Sequence, residues 1–181
     1  MPIFEGSIDI DVPIEAVFAF HLDTRNVPSV TPPTQQVTEI EGTFPLVLGA
    51  EVQMMIRQDP IPTAQPWKIR VTALEEPTLI VDELFDNPNF VHFIHTHRFA
   101  PTATGGTTLT DHIDWEMPNS MAGRMATPIA KGILEKVFTA RQERTKALLE
   151  ADTTTARMWC PRAQWRHLLR GHDKPGFVVS P

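Results

Sequence analysis

The feature that most constrains this chain is a single change of period. From Gln36 to Met117 apolar and polar residues alternate in six short runs; after Pro128 the spacing becomes helical and stays so. Period-two alternation puts successive side chains on opposite faces, so each run reads as a half-buried strand. "WKIRVTAL" is the cleanest: Trp67, Ile69, Val71 and Ala73 point one way, Lys68, Arg70 and Thr72 the other. "AEVQMMIRQ" sets Val52, Met54 and Ile56 against Glu51, Gln53 and Arg57. The gaps between runs are short turns such as "EEP" (Glu75 to Pro77), "DNPN" (Asp86 to Asn89) and "PTATGG" (Pro101 to Gly106). Runs joined this closely predict antiparallel neighbours in a meander.

A seventh run, Ile3 to Val12, precedes the meander, with Phe4, Ile8, Ile10 and Val12 on one face. Pro13 ends its ladder, and Ile14, Val17 and Phe18 follow at helical spacing. Pro28, Pro32 and Pro33 keep that helical region short. At the other end, Pro128, Ile129, Ile133, Val137, Phe138, Leu148 and Leu149 mark an amphipathic helix of roughly 20 residues, about 30 Å long. The predicted class is α+β. A curved antiparallel β-sheet of about seven strands wraps a long C-terminal α-helix, with two short helices after the first strand.

Residues 1–151 are expected to form this one domain. Residues 152–181 read as a basic, Trp-containing extension: Arg157, Arg162, Arg166, Arg170 and Lys174 face a single acid, Asp173, with Trp159 and Trp165 between them. It reads as a segment docked through its tryptophans, as a flexible basic tail or as a tail that contacts RNA or a membrane, for which five positive charges and two aromatics are a modest footprint. The whole chain carries a formal charge of -6, which argues against a general grip on nucleic acid. Cys160 is the single cysteine, so no intrachain disulfide forms and a reducing compartment is expected. The opening "MPIFEGSIDIDVP" lacks the basic and apolar regions of a signal peptide. No run approaches about 18 apolar residues, so stable membrane insertion is not expected and the cytoplasm is the default location.

Three local phrases extend the pattern. They are "DVPIEAVFAF" after the first strand, "HTHRFAPTATGGTTLTDHIDWEMP" across the last hairpin and "LEKVFTARQERTKALLEA" in the long helix. Together with the element order they resemble the helix-grip fold of the START and Bet v 1-like (SRPBCC) superfamily. The hairpin phrase is similar to the branch of polyketide cyclase/dehydrase and lipid-binding proteins. The resemblance covers residues 1 to about 151. It implies a hollow between sheet and helix, and members that range from lipid carriers to aromatases. It implies no cofactor and no metal.

The stretch "FVHFIHTHRF" then decides what such a hollow would contain. With a loop at Thr102 to Gly106, Phe99 lies opposite Leu109, His97 opposite Asp111, His95 opposite Ile113 and Phe93 opposite Trp115. This face is the more apolar and is expected to be concave, lined by Phe93, His95, His97, Phe99, Ile113 and Trp115. A turn at Glu75 to Pro77 in the preceding hairpin likewise predicts Trp67, Ile69, Val71, Val81 and Phe85 as walls, with Glu83 among them. Ile129, Ile133 and Val137 of the helix would close the opposite side. Access is expected past Val27 to Thr34 and the loop from Pro60 to Pro66.

An imidazole beside a carboxylate can move protons near neutral pH, so His97 with Asp111 or Glu83 is the candidate catalytic set. The simpler reading of His97 and Asp111 is a cross-strand polar pair. His95, His97 and either carboxylate also have the donor types of two-His-one-carboxylate metal ligation, although H-x-H alone is common. The leading expectation is binding or transport of a hydrophobic small molecule, such as a lipid, a polyketide-like ring system or an isoprenoid. The alternatives are a cyclase, aromatase or dehydrase and a ligand-responsive regulatory module. The expected partner is that small molecule; a homodimer is left open.

Overall fold

A computed structural model describes residues 2–156. The basic extension, with its tryptophans and Cys160, lies outside the described residues. Strand β1 (Ile3–Ile10) leads into α1 (Ile14–His21), a single 3-10 turn (Thr24–Asn26) and α2 (Val27–Val30). The meander follows: β2 (Gln35–Gly42), β3 (Glu51–Gln58), β4 (Gln65–Glu75), β5 (Leu79–Phe85), β6 (His92–Pro101) and β7 (Thr107–Glu116). Helix α3 (Met121–Ala156) ends the described chain. The strands make one curved antiparallel sheet in the order β1-β7-β6-β5-β4-β3-β2, the helix-grip arrangement expected. Its inner face is the core: Val52, Val71, Ile80, Leu109, Ile113 and Trp115 are almost wholly buried. Each such side chain contributes about 1.5–3 kcal/mol through burial.

Helix α3 is longer than the spacing predicts. It starts at Met121, where Ser120 Oγ accepts the Gly123 N–H at 3.0 Å as a cap. Pro128 sits inside the helix rather than at its start. From Gln142 onward α3 is fastened to β1 by three side chains spaced four residues apart. Gln142 Nε2 donates to the Gly6 carbonyl at 2.8 Å, Lys146 donates to the Asp9 carbonyl, and Glu150 accepts the Asp11 N–H at 2.9 Å. The close approach requires glycine at position 6, because a Cβ there would lie 2.9 Å from the Phe4 ring and 3.1 Å from Gln142 Oε1.

The two hairpins that set the inner face differ from one another. In β6–β7 the register is the one read from the sequence: Phe99↔Leu109, His97↔Asp111, His95↔Ile113 and Phe93↔Trp115. Gly105, at φ +88°, supplies the left-handed residue that its tight loop needs. In β4–β5 the expected register is corrected. Glu75 still pairs, with Leu79, so the turn falls one residue later, and the ladder shifts between Val71 and Ala73. Ile69 pairs with Leu84 and Val71 with Asp82. The bulge lets odd residues of β4 and even residues of β5 share the inner face. Ile80, Asp82 and Leu84 therefore turn inward and are buried, whereas Val81, Glu83 and Phe85 turn outward.

Candidate functional site

The sheet and α3 enclose a cavity of about 130 Å³. One end is apolar. Met54, Ile69, Trp67 and Phe93 line it, and the last two rings meet edge-on at 5.3 Å. Ile133, Leu134, Val137 and Phe138 of α3 form the roof. Val27 and Val30 of α2 line the cavity, as expected for the access region, but none of residues 60–66 does.

The other end is polar, and the sheet register builds it. Cross-strand rows place Asp82 beside His95, and Ile80, His97 and Asp111 in one line across β5, β6 and β7. The His95 and His97 rings lie with centroids 3.8 Å apart. Asp111 sits behind both. Its Oδ1 accepts from His95 Nε2 at 3.0 Å and stands 2.8 Å from His97 Nδ1, off that ring's donor direction. Its Oδ2 accepts from Gln142 Nε2 at 2.7 Å. At the opposite nitrogens of the two rings lies Asp82, whose Oδ2 is 3.9 Å from His95 Nδ1 and 3.7 Å from His97 Nε2. His21 closes the group, with its ring 5.2 Å from that of His97 and its Nδ1 bonded to the Val17 carbonyl at 2.7 Å.

These contacts divide the charge unequally. Burial pushes the Asp111 pKa up, but the bond from His95 and the close imidazole of His97 hold it well below the usual carboxylate range. Burial pushes His97 down, and the two carboxylates outweigh it, raising the imidazole to about 9. His95 is lowered by burial and by the neighbouring charge on His97. The same two causes bring His21 to about 3. At neutral pH the cluster therefore holds a charged His97 against Asp111, flanked by two neutral imidazoles. Arg141 also lines the cavity; its guanidinium lies 5.2 Å over the Phe138 ring, and burial lowers its pKa.

The structure brings together His95, His97, Asp111, Trp67, Ile69, Phe93, Ile133 and Val137 of the residues expected at the site. It does not place the others there. Glu83, Val81 and Phe85 face away because of the β4 bulge; the Phe85 ring instead lies 4.8 Å beneath the Arg70 guanidinium. Ile129 is 67% exposed, because α3 rotates that position away from the sheet. Val71, Phe99, Ile113 and Trp115 are buried in the wall behind the cavity; Phe99 packs on Phe18 at 5.3 Å and His21 at 5.1 Å.

Asp82, His21, Arg141 and Gln142 were not anticipated. Asp82 escaped because "TLIVDELF" has apolar residues on both faces, so alternation alone cannot orient it. Arg141, Gln142 and Thr145 continue the stripe begun by Leu134, Val137 and Phe138 at the same three- and four-residue steps. Their polar character hid a signal that spacing alone carries.

Comparisons with known proteins agree with this architecture. The family model described as polyketide cyclase / dehydrase and lipid transport matches residues 1–150. Among solved structures, the Zhui aromatase/cyclase from Streptomyces sp. R1128 is similar at a TM-score of 0.71 and 17% identity, over 86% of this chain and 97% of that one. The di-domain ARO/CYC StfQ from the steffimycin biosynthetic pathway matches at 0.68 and 14% identity, over 84% of this chain and 51% of its own. A Thalictrum flavum norcoclaurine synthase point mutant, in complex with a transition-state analogue, matches at 0.64 and 8% identity, over 84% and 96%. At such identities the likeness is one of fold. No curated protein matches the sequence.

Proposed function

Because this chain belongs to the polyketide cyclase/dehydrase and lipid transport family, we propose that it binds a small, mostly apolar organic molecule in the cavity between sheet and α3. The observation that carries this reading is the cavity's division into an apolar end and a polar floor. An apolar body is driven in by burial, at roughly 25 cal/mol per Å², and a few fixed polar groups orient its oxygen or nitrogen atoms. A volume of about 130 Å³ suits a ligand, or the end of a ligand, of about one ring; an apolar protein cavity of roughly 150 Å³ takes up benzene. A long lipid or a multi-ring polyketide would need a wider chamber.

Native mass spectrometry of freshly purified protein tests the reading through a co-purified adduct. Titration with the single-ring 4-nitrophenol, followed by quenching of tryptophan emission, tests it directly, since Trp67 lines the cavity. Saturable one-to-one quenching, lost in a cavity-filling Val137→Phe variant, is expected. Absence of any saturable signal removes the proposal.

A second reading, an enzyme of the cyclase or dehydrase type, is favoured by the buried imidazole–carboxylate cluster, which is more polar than carriage of an apolar ligand requires. The aromatase/cyclases among the structural neighbours support it. In that case His97 faces the ligand and Asp111 holds it in place. Asp82 occupies the position expected of Glu83. His97→Ala would then leave 4-nitrophenol affinity nearly unchanged and abolish turnover.

A further inference from the structure

We propose that Asp82, His95 and His97 form a binding site for a divalent first-row transition-metal ion of the zinc or iron(II) class, set in the cavity floor. This goes beyond the ligand-binding reading and does not depend on it. Asp82 Oδ2 and one nitrogen of each imidazole lie within 4.8 Å of one another. All three residues line the cavity, so an ion here would keep open positions toward whatever occupies it.

Three further observations point to a cation. The first is Asp82 itself. It is 8% exposed, and among the described residues it takes part in no hydrogen bond; its nearest polar atoms are the two imidazole nitrogens at 3.7 and 3.9 Å. Those separations exceed hydrogen-bond reach. The charged His97 offers Asp82 an ion pair but no hydrogen bond, and a metal ion bound here would take the place of that imidazole's proton.

The second is the direction of the rings. His95 gives its Nε2–H to Asp111, which leaves the lone pair on Nδ1 facing Asp82. Two acceptors thus confront one another across 3.9 Å with no hydrogen between them.

The third is Asp111 behind the rings. Metal-bound histidines commonly direct their far nitrogen at a carboxylate, which fixes the ring and strengthens the ligand. Here one carboxylate stands at the far nitrogen of both, at 3.0 and 2.8 Å, and is itself held by Gln142 at 2.7 Å. Around a tetrahedral ion with bonds of about 2.0–2.2 Å, donor atoms stand about 3.4 Å apart. The two gaps to Asp82 have to close by a few tenths of an ångström, and the two imidazole nitrogens, within 4.8 Å of one another, by up to about 1.4 Å. The donor set, two imidazoles and one carboxylate, suits zinc or iron(II) rather than calcium or magnesium.

The test uses tag-free, full-length protein stripped with EDTA. It is titrated with Zn2+ by calorimetry and with Co2+ by visible absorption. One equivalent is expected, with cobalt d–d bands of a low-coordinate site carrying imidazole ligands. Asp82→Asn should weaken zinc binding at least tenfold, and Asp111→Asn about ten- to a hundredfold. The double variant His92→Gln/His112→Gln, on the outer face, should bind as the parent does. Circular dichroism checks that each variant is folded. No saturable uptake by the parent overturns the proposal whatever the variants do. So does uptake that survives Asp82→Asn unchanged or vanishes in the outer-face variant. Because 4-nitrophenol binding is read separately, failure of this site leaves the cavity reading standing.

Discussion

One hairpin carries four imidazoles, two on each face, and all four stand beside carboxylates. On the outer face His112 lies 2.9 Å from Glu5 and His92 3.6 Å from Asp114; these side chains are 28–60% exposed. On the inner face His95 and His97 lie 3.0 and 2.8 Å from Asp111, and the three side chains are 6–14% exposed. The distances overlap and the surroundings do not. The outer side chains each keep more than a quarter of their surface in water, so each pair is worth little although the His92 Nε2 and Asp114 Oδ1 atoms are themselves covered; inside, every charge and donor depends on its neighbours because nothing replaces them. The same residue types, on opposite faces of one hairpin, are side chains open to water on one side and a committed polar centre on the other.

The sharpest way to break this contrast is to remove the shared acceptor. Asp111→Ala leaves the His95 and Gln142 donors and the charged His97 without their partner. A loss of about 3–5 kcal/mol is expected in urea unfolding. An outer-face change sharpens the contrast from the other side. His112→Gln should alter stability by no more than about 1 kcal/mol in the same assay. A loss near that of Asp111→Ala would show that proximity, not burial, governs these pairs.

The smallest effect lies on the α3–β1 fastening. The Asp11 N–H, and then Lys146, hold the Glu150 pKa below its ordinary value of 4.5. A depressed folded-state value means that the contribution is complete above that ordinary value. It fades as pH falls through the lower folded-state one. Thermal unfolding of the parent and of Glu150→Gln should therefore differ slightly at neutral pH and converge as pH drops below about 4.5.

How far the sequence revealed the site follows the regularity of its strands. In β6–β7 the alternation is unbroken and the loop is closed by glycine, so hand registration placed His95, His97 and Asp111 on one face. In β4–β5 the extra residue near Thr72 leaves no trace in composition, since threonine suits a bulge and a regular strand alike. Everything beyond that bulge was read one face out, which is how Glu83 was chosen and Asp82 passed over. The helix misled in another way. Leu134, Val137 and Phe138 set a phase that Arg141 and Gln142 continue, but charge and amide groups look like a solvent face until the cavity they meet is known. Helical spacing marks α3 only from Pro128, whereas the helix begins at Met121.

The fastening of α3 has a mechanical consequence. Its three anchors all fall between Gln142 and Glu150 and hold β1. Toward the opposite end Met121, Met125 and Ile129 lie open to solvent. A rod pinned near one tip behaves as a lever. If a bulkier guest is to be admitted, swinging the unpinned arm outward sacrifices none of those three bonds, whereas prying at the pinned arm breaks them in turn. Enlargement is therefore easiest over the oily half of the chamber, and the imidazole end keeps its geometry while the rest yields.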